Sequence, residues 1–482
     1  MNKSWLKIIG SLVALLLIGV ITLWLGLRTP SLSVPEQGPT RLLGVTLIIP
    51  GKGRSLVDIG IKDGRIAWIR PANQHEPETE QEALTIRGGY VLPGLIDMHV
   101  HYPPSVAIGQ QDLWSLLFVA HGVTTVRETG SIDGTSMELR HEIRDGKRHG
   151  PNLFSCGKII DGPNKAFPSN VSVSGEMEAR ALVQLRKTEG ADCVKLYHML
   201  GRDEAIAILD ESKKQGLKAI GHLPHSLELE DAPGELMHFM GFPVVDKAVV
   251  GRSENKLADW ARLSDQEIEE TARKMKELEI VQVPDLINIE MRTGILDPGV
   301  LEGDTGLAHL PEFWGKAWRT LFSAPYDEAS RIQYQGMQEK WSSILKALKR
   351  NNVRFYAGSD TLMPFVAPGS SIHRNLELYV QAGLTVDEAL ASATVVPGEW
   401  YNPRRGTVEI GLPADLIVLS ADPYSSGLQV LRTPSYVIVS GRVYTRQYLD
   451  SALASFDEHF LEGTYPWILN MIADGIISLY QR

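Results

Sequence analysis

Residues 91–101 read VLPGLIDMHVH, an apolar run that ends in two histidines one residue apart. The Pro and Gly near its start and the apolar residues that follow are typical of a buried strand. Side chains two residues apart on a strand point to the same side, so His99 and His101 share one face. Two neutral imidazoles in this arrangement can bind one metal ion, whereas two hydrogen-bonded core histidines are the simpler alternative.

The sequence beyond this strand alternates between strand-like and helix-like segments as far as Trp400. The strand-like runs are Val123–Val126, Leu153–Ile160, Cys193–Tyr197, Lys218–His222 and Val353–Ala357, and the helix-like segments include Glu176–Glu189, Arg202–Gln215 and Trp341–Lys349. Such alternation indicates a parallel sheet with crossover helices. A closed (β/α)8 TIM barrel over residues 91–403 is the most economical α/β fold for it.

Both flanks of the predicted barrel differ from it in pattern. Residues 41–90 and 404–446 contain short alternating stretches separated by Gly, Asp and Pro, which predict antiparallel strands. We expect the two chain ends to form one small β-sandwich beside the barrel. Residues 447–482 read as a helical tail that packs on the fold, and contact with a membrane surface or a dimer interface are the alternatives.

The N-terminal region contains twenty residues, 8–27, without a charge. A helix of this length covers roughly 30 Å, the hydrocarbon thickness of a bilayer, which predicts a transmembrane anchor. Lys3 and Lys7 precede it, so residues 1–7 are predicted as a cytoplasmic tip and the rest of the chain as extracytoplasmic. Residues 28–40, with three prolines, are predicted as a tether. The alternative is a cleaved signal peptide and a secreted protein.

The composition limits the function classes. Of the 482 residues, 43% are hydrophobic and 22% charged, which is typical of a folded globular chain. A formal net charge of −10 without a long basic run argues against a nucleic-acid partner. Cys156 and Cys193 are too few for a disulfide framework or a cysteine zinc module. Whether they pair stays open, with two isolated core residues as the favoured interpretation, and any metal must be held by His and carboxylates.

Other polar side chains lie at the predicted carboxyl ends of barrel strands, where barrel enzymes build their sites. Lys195 and Tyr197 share a face of one strand. A lysine inside an apolar barrel is costly unless it is paired or neutralised. Reaction with carbon dioxide would convert Lys195 to an anionic carbamate, and an ion-paired lysine is the alternative. Tyr197 could donate to a substrate carboxylate or an oxyanion, with a core tyrosine as the alternative.

Three further residues complete the candidate ligands. His222, His238 and Asp360 each come at or near the end of a predicted strand. Imidazole nitrogens and carboxylate oxygens suit zinc, with manganese or iron as alternatives. Two divalent ions held by such a set would polarise a substrate carbonyl and activate water at neutral pH.

The order of these motifs resembles the amidohydrolase superfamily, and within it the imidazolonepropionase-like branch that includes metal-dependent Xaa-Pro dipeptidases. The motifs that carry the resemblance are VLPGLIDMHVH at 91–101, GVTTVR at 122–127, VKLY at 194–197, GHLP at 221–224, AGSD at 357–360, AGLT at 382–385, GTVE at 406–409 and PADL at 413–416. The resemblance extends from about Leu43 to Tyr444.

The resemblance implies a binuclear metal site. His99, His101 and Asp360 would hold the first ion, His222 and His238 the second, and a carbamylated Lys195 would bridge them. Asp360 would also act as the general base. This sequence departs from the family at Met237, where similar members place a glutamate before the histidine, so His238 is the ligand that the resemblance supports least.

These features predict a membrane-tethered hydrolase that cleaves a C–N bond in a small substrate, such as an Xaa-Pro-type dipeptide or a cyclic amide. A lactonase, esterase or phosphotriesterase with the same site is one alternative, and a catalytically silent membrane-bound binding protein is another. The segment 290–323 is predicted to cover the barrel mouth as a substrate lid or a rigid excursion. Homo-oligomerisation stays open. The histidines predicted to be structural or solvent-facing are His121, His141, His149, His198, His309 and His373.

Overall fold

The structure is a computed structural model that describes most of the chain. The described residues are 17–19, 21, 29–72, 83–242, 260, 262–293, 298–301, 303–321, 328–462, 465–468 and 470–471. The predicted membrane span at 8–27 therefore lies mostly outside them. Within the described part of the chain, we find no helix that has both the length and the apolar character needed to cross a bilayer.

The two ends of the described chain share one antiparallel and parallel sheet. Its strands are β1 (Thr40–Ile49), β2 (Gly53–Lys62), β3 (Arg65–Pro71), β4 (Leu84–Arg87), β5 (Tyr90–Pro93), β15 (Leu416–Leu419), β16 (Tyr436–Val439) and β17 (Arg442–Thr445). β5 pairs with β15, which joins the N-terminal strands to the C-terminal ones. Asp63 and Gly64, both with positive φ, form the two-residue turn between β2 and β3.

The structure has one continuous sheet here, whereas the sequence predicted a β-sandwich. The strands are hydrogen-bonded in the order β17-β16-β15-β5-β1-β2-β3, with β4 also on β1. The first part of β1 pairs with β4 and its later part with β5. An irregularity between Leu42 and Val45, at Gly44 with positive φ, allows this exchange of partners along one edge. Buried residues such as Ile59, Val91 and Leu416 form its apolar core.

A parallel barrel fills the middle of the chain. Its strands are β6 (Leu95–Val100), β7 (Val123–Glu128), β8 (Asn152–Ser155), β11 (Cys193–Leu196), β12 (Lys218–Gly221), β13 (Glu235–Met237) and β14 (Val281–Val283). Phe355 takes the eighth strand position and forms a parallel β-bridge with Gln282 of β14. Backbone hydrogen bonds from Asp192 N to Ser155 O at 2.9 Å and from Met98 N to Ala357 O at 3.0 Å close the ring. The predicted (β/α)8 barrel is confirmed.

Helices connect the barrel strands. They are α1 (Gln110–Ala120), α2 (Ser136–Arg144), α3 (Glu176–Thr188), α4 (Arg202–Gln215), α5 (Asp265–Glu277), α6 (Leu286–Thr293), α7 (Glu312–Leu321), α8 (Glu328–Arg350), α9 (Ser370–Gln381), α10 (Val386–Ser392), α11 (Val395–Gly398), α12 (Pro423–Ser426) and α13 (Arg446–Phe460). Local signals set their ends. Ser264 and Glu267 form a capping box at the start of α5, and Gly216 ends α4 in the left-handed region.

The predicted single strand Leu153–Ile160 is two strands in the structure. β8 ends at Ser155, and β9 (Ile160–Asp161) pairs with β11 and with β10 (Val171–Ser172). Gly157 between them has φ +69°, a conformation that extended strands do not adopt. Cys156 at the break forms a disulfide bond with Cys193. The favoured interpretation of two isolated cysteines is therefore wrong.

The predicted tether at 28–40 also needs correction, because its described residues are docked on the fold. Leu32 packs against the main hydrophobic core, and the carbonyl of Ser33 accepts a hydrogen bond from Tyr448 at 2.7 Å. Gln37 forms an isolated antiparallel β-bridge with Arg442. The three prolines restrict the backbone to extended conformations, which lets the segment lie along the surface as an ordered strand-like strip.

The described part of the predicted insertion packs firmly over the barrel. Short 3-10 helices at Pro298–Leu301 and Leu307–His309 precede α7. Trp314 Nε1 donates to Gln110 Oε1 at 2.9 Å, and Trp318 Nε1 donates to the carbonyl of Leu362 at 3.0 Å. Both tryptophans are buried. Movement of this segment as a lid remains a prediction.

Candidate active site

The predicted site residues converge at the carboxyl end of the barrel. His99 Nε2 lies 3.1 Å from Asp360 Oδ1 and 3.3 Å from Lys195 Nζ. His101 Nε2 lies 3.4 Å from the same Asp360 oxygen. The His238 ring lies 5.0 Å from the His99 ring, centre to centre. Four separated stretches of sequence thus meet in one buried cluster.

His222 completes the cluster. Its ring centre lies 4.8 Å from that of His238, at a right angle to it. Its Nδ1 lies 2.9 Å from His198 Nε2, and its other face stacks on Tyr197 at 4.2 Å. The prediction of His198 as a purely structural or solvent-facing residue did not anticipate this contact with a candidate ligand. Tyr197 is mostly buried, and its role in substrate binding remains a prediction.

The backbone at Asp360 and His238 is unusual for side-chain-bearing residues. Asp360 has φ +59° and His238 has φ +55°, both in the left-handed region. The Asp360 amide donates to the carbonyl of His99 at 2.7 Å, which ties this conformation to β6. Asp97 supports the same junction by accepting hydrogen bonds from the Ser359 hydroxyl at 2.5 Å and amide at 3.0 Å. Strained backbone held by such bonds commonly marks functional sites.

Burial and neighbouring charges set the protonation of the site. Burial, together with the Lys195 charge, lowers the pKa of His99 well below its usual value, and burial with the neighbouring His198 does the same for His222. Both imidazoles are therefore neutral at physiological pH, the form that binds metals. Burial would raise the pKa of Asp360, but His101, His238 and Lys195 hold it below its usual value, so this carboxylate is ionised.

Lys195 is only 1% exposed. Its Nζ lies 3.3 Å from Thr129 Oγ1 in addition to its contact with His99. Burial lowers the pKa of Lys195 from 10.5 to about 8, which gives a substantial fraction of neutral amine near physiological pH. Only a neutral amine can react with carbon dioxide, so the environment is chemically suited to the predicted carbamate.

Asp285 belongs to the site, although our reading of the sequence did not include it. It follows β14 and lies 2.7 Å from His238 Nδ1 and 3.9 Å from His99 Nδ1. Burial would lower the pKa of His238, but Asp285 raises it above its usual value. The signal that could have found Asp285 is its position after a strand, the same position that identified the other candidates.

Two more residues were missed. Asn288 donates to Asp360 Oδ2 at 2.6 Å, which orients that carboxylate. Glu128 ends β7 in full burial and accepts a hydrogen bond from Ser155 at 2.9 Å. Burial raises the pKa of Glu128 to about 7. Neither residue stands in a motif that sequence reasoning alone could separate from ordinary core packing.

The residues present fit a divalent metal. Potential ligand atoms of His99, His238, Asp285 and Asp360 all lie within 4.8 Å of one another. His101 Nδ1 lies 2.8 Å from the carbonyl of Gly130, to which it donates, leaving Nε2 as a lone-pair donor. The buried nitrogens His99 Nδ1 and His222 Nε2 have no hydrogen-bond partner in the described portion of the chain. Unpartnered buried donors and acceptors of this kind are what a metal site requires.

The sequence pattern of the amidohydrolase family matches residues 90–444 of this chain. The chain belongs to the amidohydrolase family. The predicted superfamily is thereby confirmed, as is the prediction of a hydrolase that acts on carbon–nitrogen bonds.

Individual relatives are more distant. An uncharacterised protein of Mycobacterium tuberculosis is 24% identical over 428 residues, which cover 84% of this chain and 97% of the relative. A bottromycin amidohydrolase has a similar structure, with a TM-score of 0.71 and 21% identity over 87% of this chain and 90% of its own. An Xaa-Pro dipeptidase structure gives a TM-score of 0.60 and 20% identity over 85% of this chain and 100% of its own. At these identities the structures show a shared fold.

Proposed function

We propose that this amidohydrolase is a metal-dependent enzyme that hydrolyses the amide bond of a small substrate, of the Xaa-Pro dipeptide or cyclic-amide type. The observation that carries the proposal is the convergence of His99, His101, His238 and Asp360 around Lys195 at the carboxyl end of the barrel. The Xaa-Pro dipeptidase among its structural neighbours supports a dipeptide substrate.

The proposed metal ligands are the six predicted residues, with Asp285 beside them. When bound, divalent ions at this position act as Lewis acids on the substrate carbonyl and lower the pKa of water. His99, His101 and Asp360 form one half of the donor set, and His222 and His238 the other half. Nitrogen and oxygen donors favour zinc. Asp285 orients the His238 ring through its Nδ1, so that Nε2 points toward Asp360.

Lys195 is proposed to carry a carbamate. Its neutral amine would attack carbon dioxide, form an N–C bond and release one proton, which leaves a carboxylate with two oxygens between the two halves of the donor set. The lowered pKa of Lys195, about 8, supplies the neutral amine. The carbamate would remove the cost of a buried ammonium, because an anion would then face the donor set that would hold the metal ions.

Asp360 is proposed as the proton carrier. It is ionised because its pKa lies below the usual value, and the Asn288 amide holds its Oδ2 at 2.6 Å. Its Oδ1 can accept the proton of the attacking water and pass it to the leaving amine. Tyr197 is proposed to bind the substrate, since it lies against His222 at the edge of the site.

We also propose that the enzyme is anchored by residues 8–27 and works outside the cytoplasm. The uncharged segment and the preceding lysines support this placement. The Cys156–Cys193 disulfide supports it independently, because such bonds persist in oxidising compartments and are rare in the cytosol.

The proposal is tested by metal analysis and hydrolysis assays on the purified chain, with and without added bicarbonate. We expect bound transition metal, activity that rises with bicarbonate, and cleavage of members of an Xaa-Pro dipeptide library. Lys195→Ala should abolish activity, and a short carboxylic acid should restore part of it by replacing the carbamate.

Lys218→Ala is the matched control. Burial lowers the pKa of Lys218 to about 8 as well, but this lysine lies at the other end of the barrel, with Nζ 4.5 Å from the centre of the Trp400 ring. The control should keep its metal and its activity. Absence of transition metal and of bicarbonate activation would favour a silent binding protein, and faster turnover of lactones or organophosphates than of dipeptides would favour the esterase-type alternative.

A further inference from the structure

The N-terminal strip, residues 29–33, shows where the predicted membrane span joins the fold. Thr29 lies against Gly109, where an added Cβ would be 2.3 Å from the Thr29 methyl group and 2.8 Å from the Phe460 ring. Ser33 accepts its hydrogen bond from Tyr448. Phe460 is the last residue of α13 and Tyr448 lies in its first turn. The strip therefore runs antiparallel to α13, with Thr29 at the carboxyl end of that helix.

This end of α13 lies on the same face of the barrel as the metal site. Gly109 ends the loop that follows β6, and β6 carries the ligands at its carboxyl end. The opposite end of α13 agrees with this direction, because Arg446 donates to the carbonyl of Ala120, the last residue of α1, at 2.9 Å. Thr29 thus leaves the fold at the barrel mouth and not at the distant end.

Exposed apolar side chains lie in the two segments next to this exit. Val106 is 68% exposed and Ile108 40%, both in the loop after β6. Trp467 is 66% exposed and Met471 57%. Tyr465 donates a hydrogen bond to the carbonyl of Ile108, which attaches the C-terminal segment to the same loop. We call Val106, Ile108, Trp467 and Met471 the apolar rim.

The distance between the rim and the membrane follows from the length of chain between them. The uncharged segment ends at Leu27, and Thr29 is already docked. Two residues of extended chain span at most about 7 Å. A docked Thr29 therefore keeps the neighbouring loop after β6, which carries Val106 and Ile108, close to the bilayer surface. Tryptophan and aliphatic side chains are favourable at that depth.

We infer that the metal-site face of the barrel rests on the lipid bilayer and that the apolar rim inserts into its interfacial layer. The inference depends on the proposed anchoring by residues 8–27. It goes beyond that anchoring because an anchored domain on a free tether could face any direction. The active site then opens toward the membrane surface, and the β-sheet formed by the chain ends is not required for membrane contact.

The test uses the full-length chain in vesicles of phosphatidylcholine and phosphatidylglycerol. Vesicle flotation first establishes attachment. Single cysteines are then introduced as Ile108→Cys and Trp467→Cys and labelled with an environment-sensitive fluorophore. Both native cysteines are buried in a disulfide, so only the new thiol reacts. Leu185→Cys is the matched control, because Leu185 is 49% exposed in the last turn of α3, which leads to the opposite end of the barrel.

We expect both rim labels to be quenched by nitroxide lipids and protected from aqueous iodide, and the Leu185 label to show the reverse. Attached protein with rim labels as open to iodide as the control overturns the inference and leaves the anchor intact. Protein that does not float overturns both. Rim labels that become shielded in detergent as protein concentration rises indicate a second copy at this surface and also overturn it. Hydrolysis measured in detergent reports on the proposed function separately.

Discussion

Two groups of buried polar side chains lie inside the same barrel and differ in how their hydrogen-bonding atoms are satisfied. The first group, called the lower group here, consists of Arg127 and Glu235. Arg127 Nη1 donates to Glu235 Oε2 at 2.9 Å, and Arg127 Nε donates to the carbonyl of Met98 at 3.0 Å. The guanidinium carbon of Arg127 also lies 5.1 Å from the centre of the Trp400 ring. The second group, called the upper group here, is the cluster of candidate ligands around His99 and His222. His99 Nδ1 and His222 Nε2 have no hydrogen-bond partner among the residues that the structure describes.

The difference separates structure from function. A buried ion pair with complete hydrogen bonding holds neighbouring strands together and needs nothing from outside the chain. Buried nitrogens without partners cost free energy unless a ligand binds them. A bound metal ion would offset this cost in the upper group, whereas the lower group is complete as folded. The three predictions that follow test this division.

The largest expected effect is on the lower group. Arg127→Met leaves Glu235 charged and buried, and we expect the free energy of unfolding to fall by about 3–5 kcal/mol. Chemical denaturation of metal-free protein measures it. Combining this change with Glu235→Leu should recover most of the loss, because no unpaired charge remains. A single variant as stable as the parent protein would show that this pair is not a structural element.

The second prediction concerns Lys195 in metal-free, carbon-dioxide-free buffer. Its pKa is about 8 in the folded chain, below the usual 10.5. Below pH 8 the lysine is charged in both folded and unfolded chains, so the folded chain bears the full cost of burying that charge. As pH rises from 8 to 10.5 the folded amine loses its proton first, and this cost disappears. The parent should therefore gain at most about 3 kcal/mol relative to Lys195→Met.

Thermal and chemical unfolding of both proteins across this pH range measures the difference between them. Lys218→Met is a second comparison of the same kind, and it should show a dependence in the same direction because burial lowers the pKa of Lys218 to about 8 as well. A stability difference between parent and Lys195→Met that stays constant from pH 7 to pH 10.5 would contradict the proposed cost of the buried ammonium.

The smallest expected effect is on the orientation of a ligand. Asp285→Asn keeps the shape of the side chain but weakens its hold on His238, and we expect metal affinity to fall about 10–100-fold. Competition with a chromogenic chelator measures it. Asp415→Asn is the control, since Asp415 is also buried but accepts its bonds from Ser440, Asn152 and Arg405, far from the candidate ligands. Equal metal affinity in the two variants would remove Asp285 from the site.

The barrel and the six candidate ligands could be predicted because their signals are local. Alternation of strands and helices predicts the barrel, and two residues spaced like His99 and His101 point to the same face of any strand. α4 occupies the predicted range Arg202–Gln215 because acidic residues begin it and two lysines and Gly216 end it. These features depend on residues close together in the chain.

The features that sequence reasoning missed depend on long-range contacts. Pairing of Cys156 with Cys193 follows from the closure of β8 against β11, which no local pattern records. The docking of residues 29–40 needs the surface of α13, more than 400 residues later in the sequence. Asp285 differs from an ordinary polar residue after a strand only through its distance to His238. The identity of the substrate also depends on long-range contacts, since loops that follow several strands determine it.

The disulfide bond has a consequence for how the protein is made and handled. Cys156 and Cys193 are both 0% exposed and lie in the interior cluster with Met98 and Met237, each of which stands one residue before a candidate histidine ligand. Thiol exchange needs direct access of the attacking thiolate to a sulfur atom. Glutathione cannot reach this bond without opening the barrel, so the oxidation state is set in the compartment where the chain folds. The number of free thiols counted after denaturation of the purified protein therefore reports whether the chain folded in an oxidising or a reducing compartment.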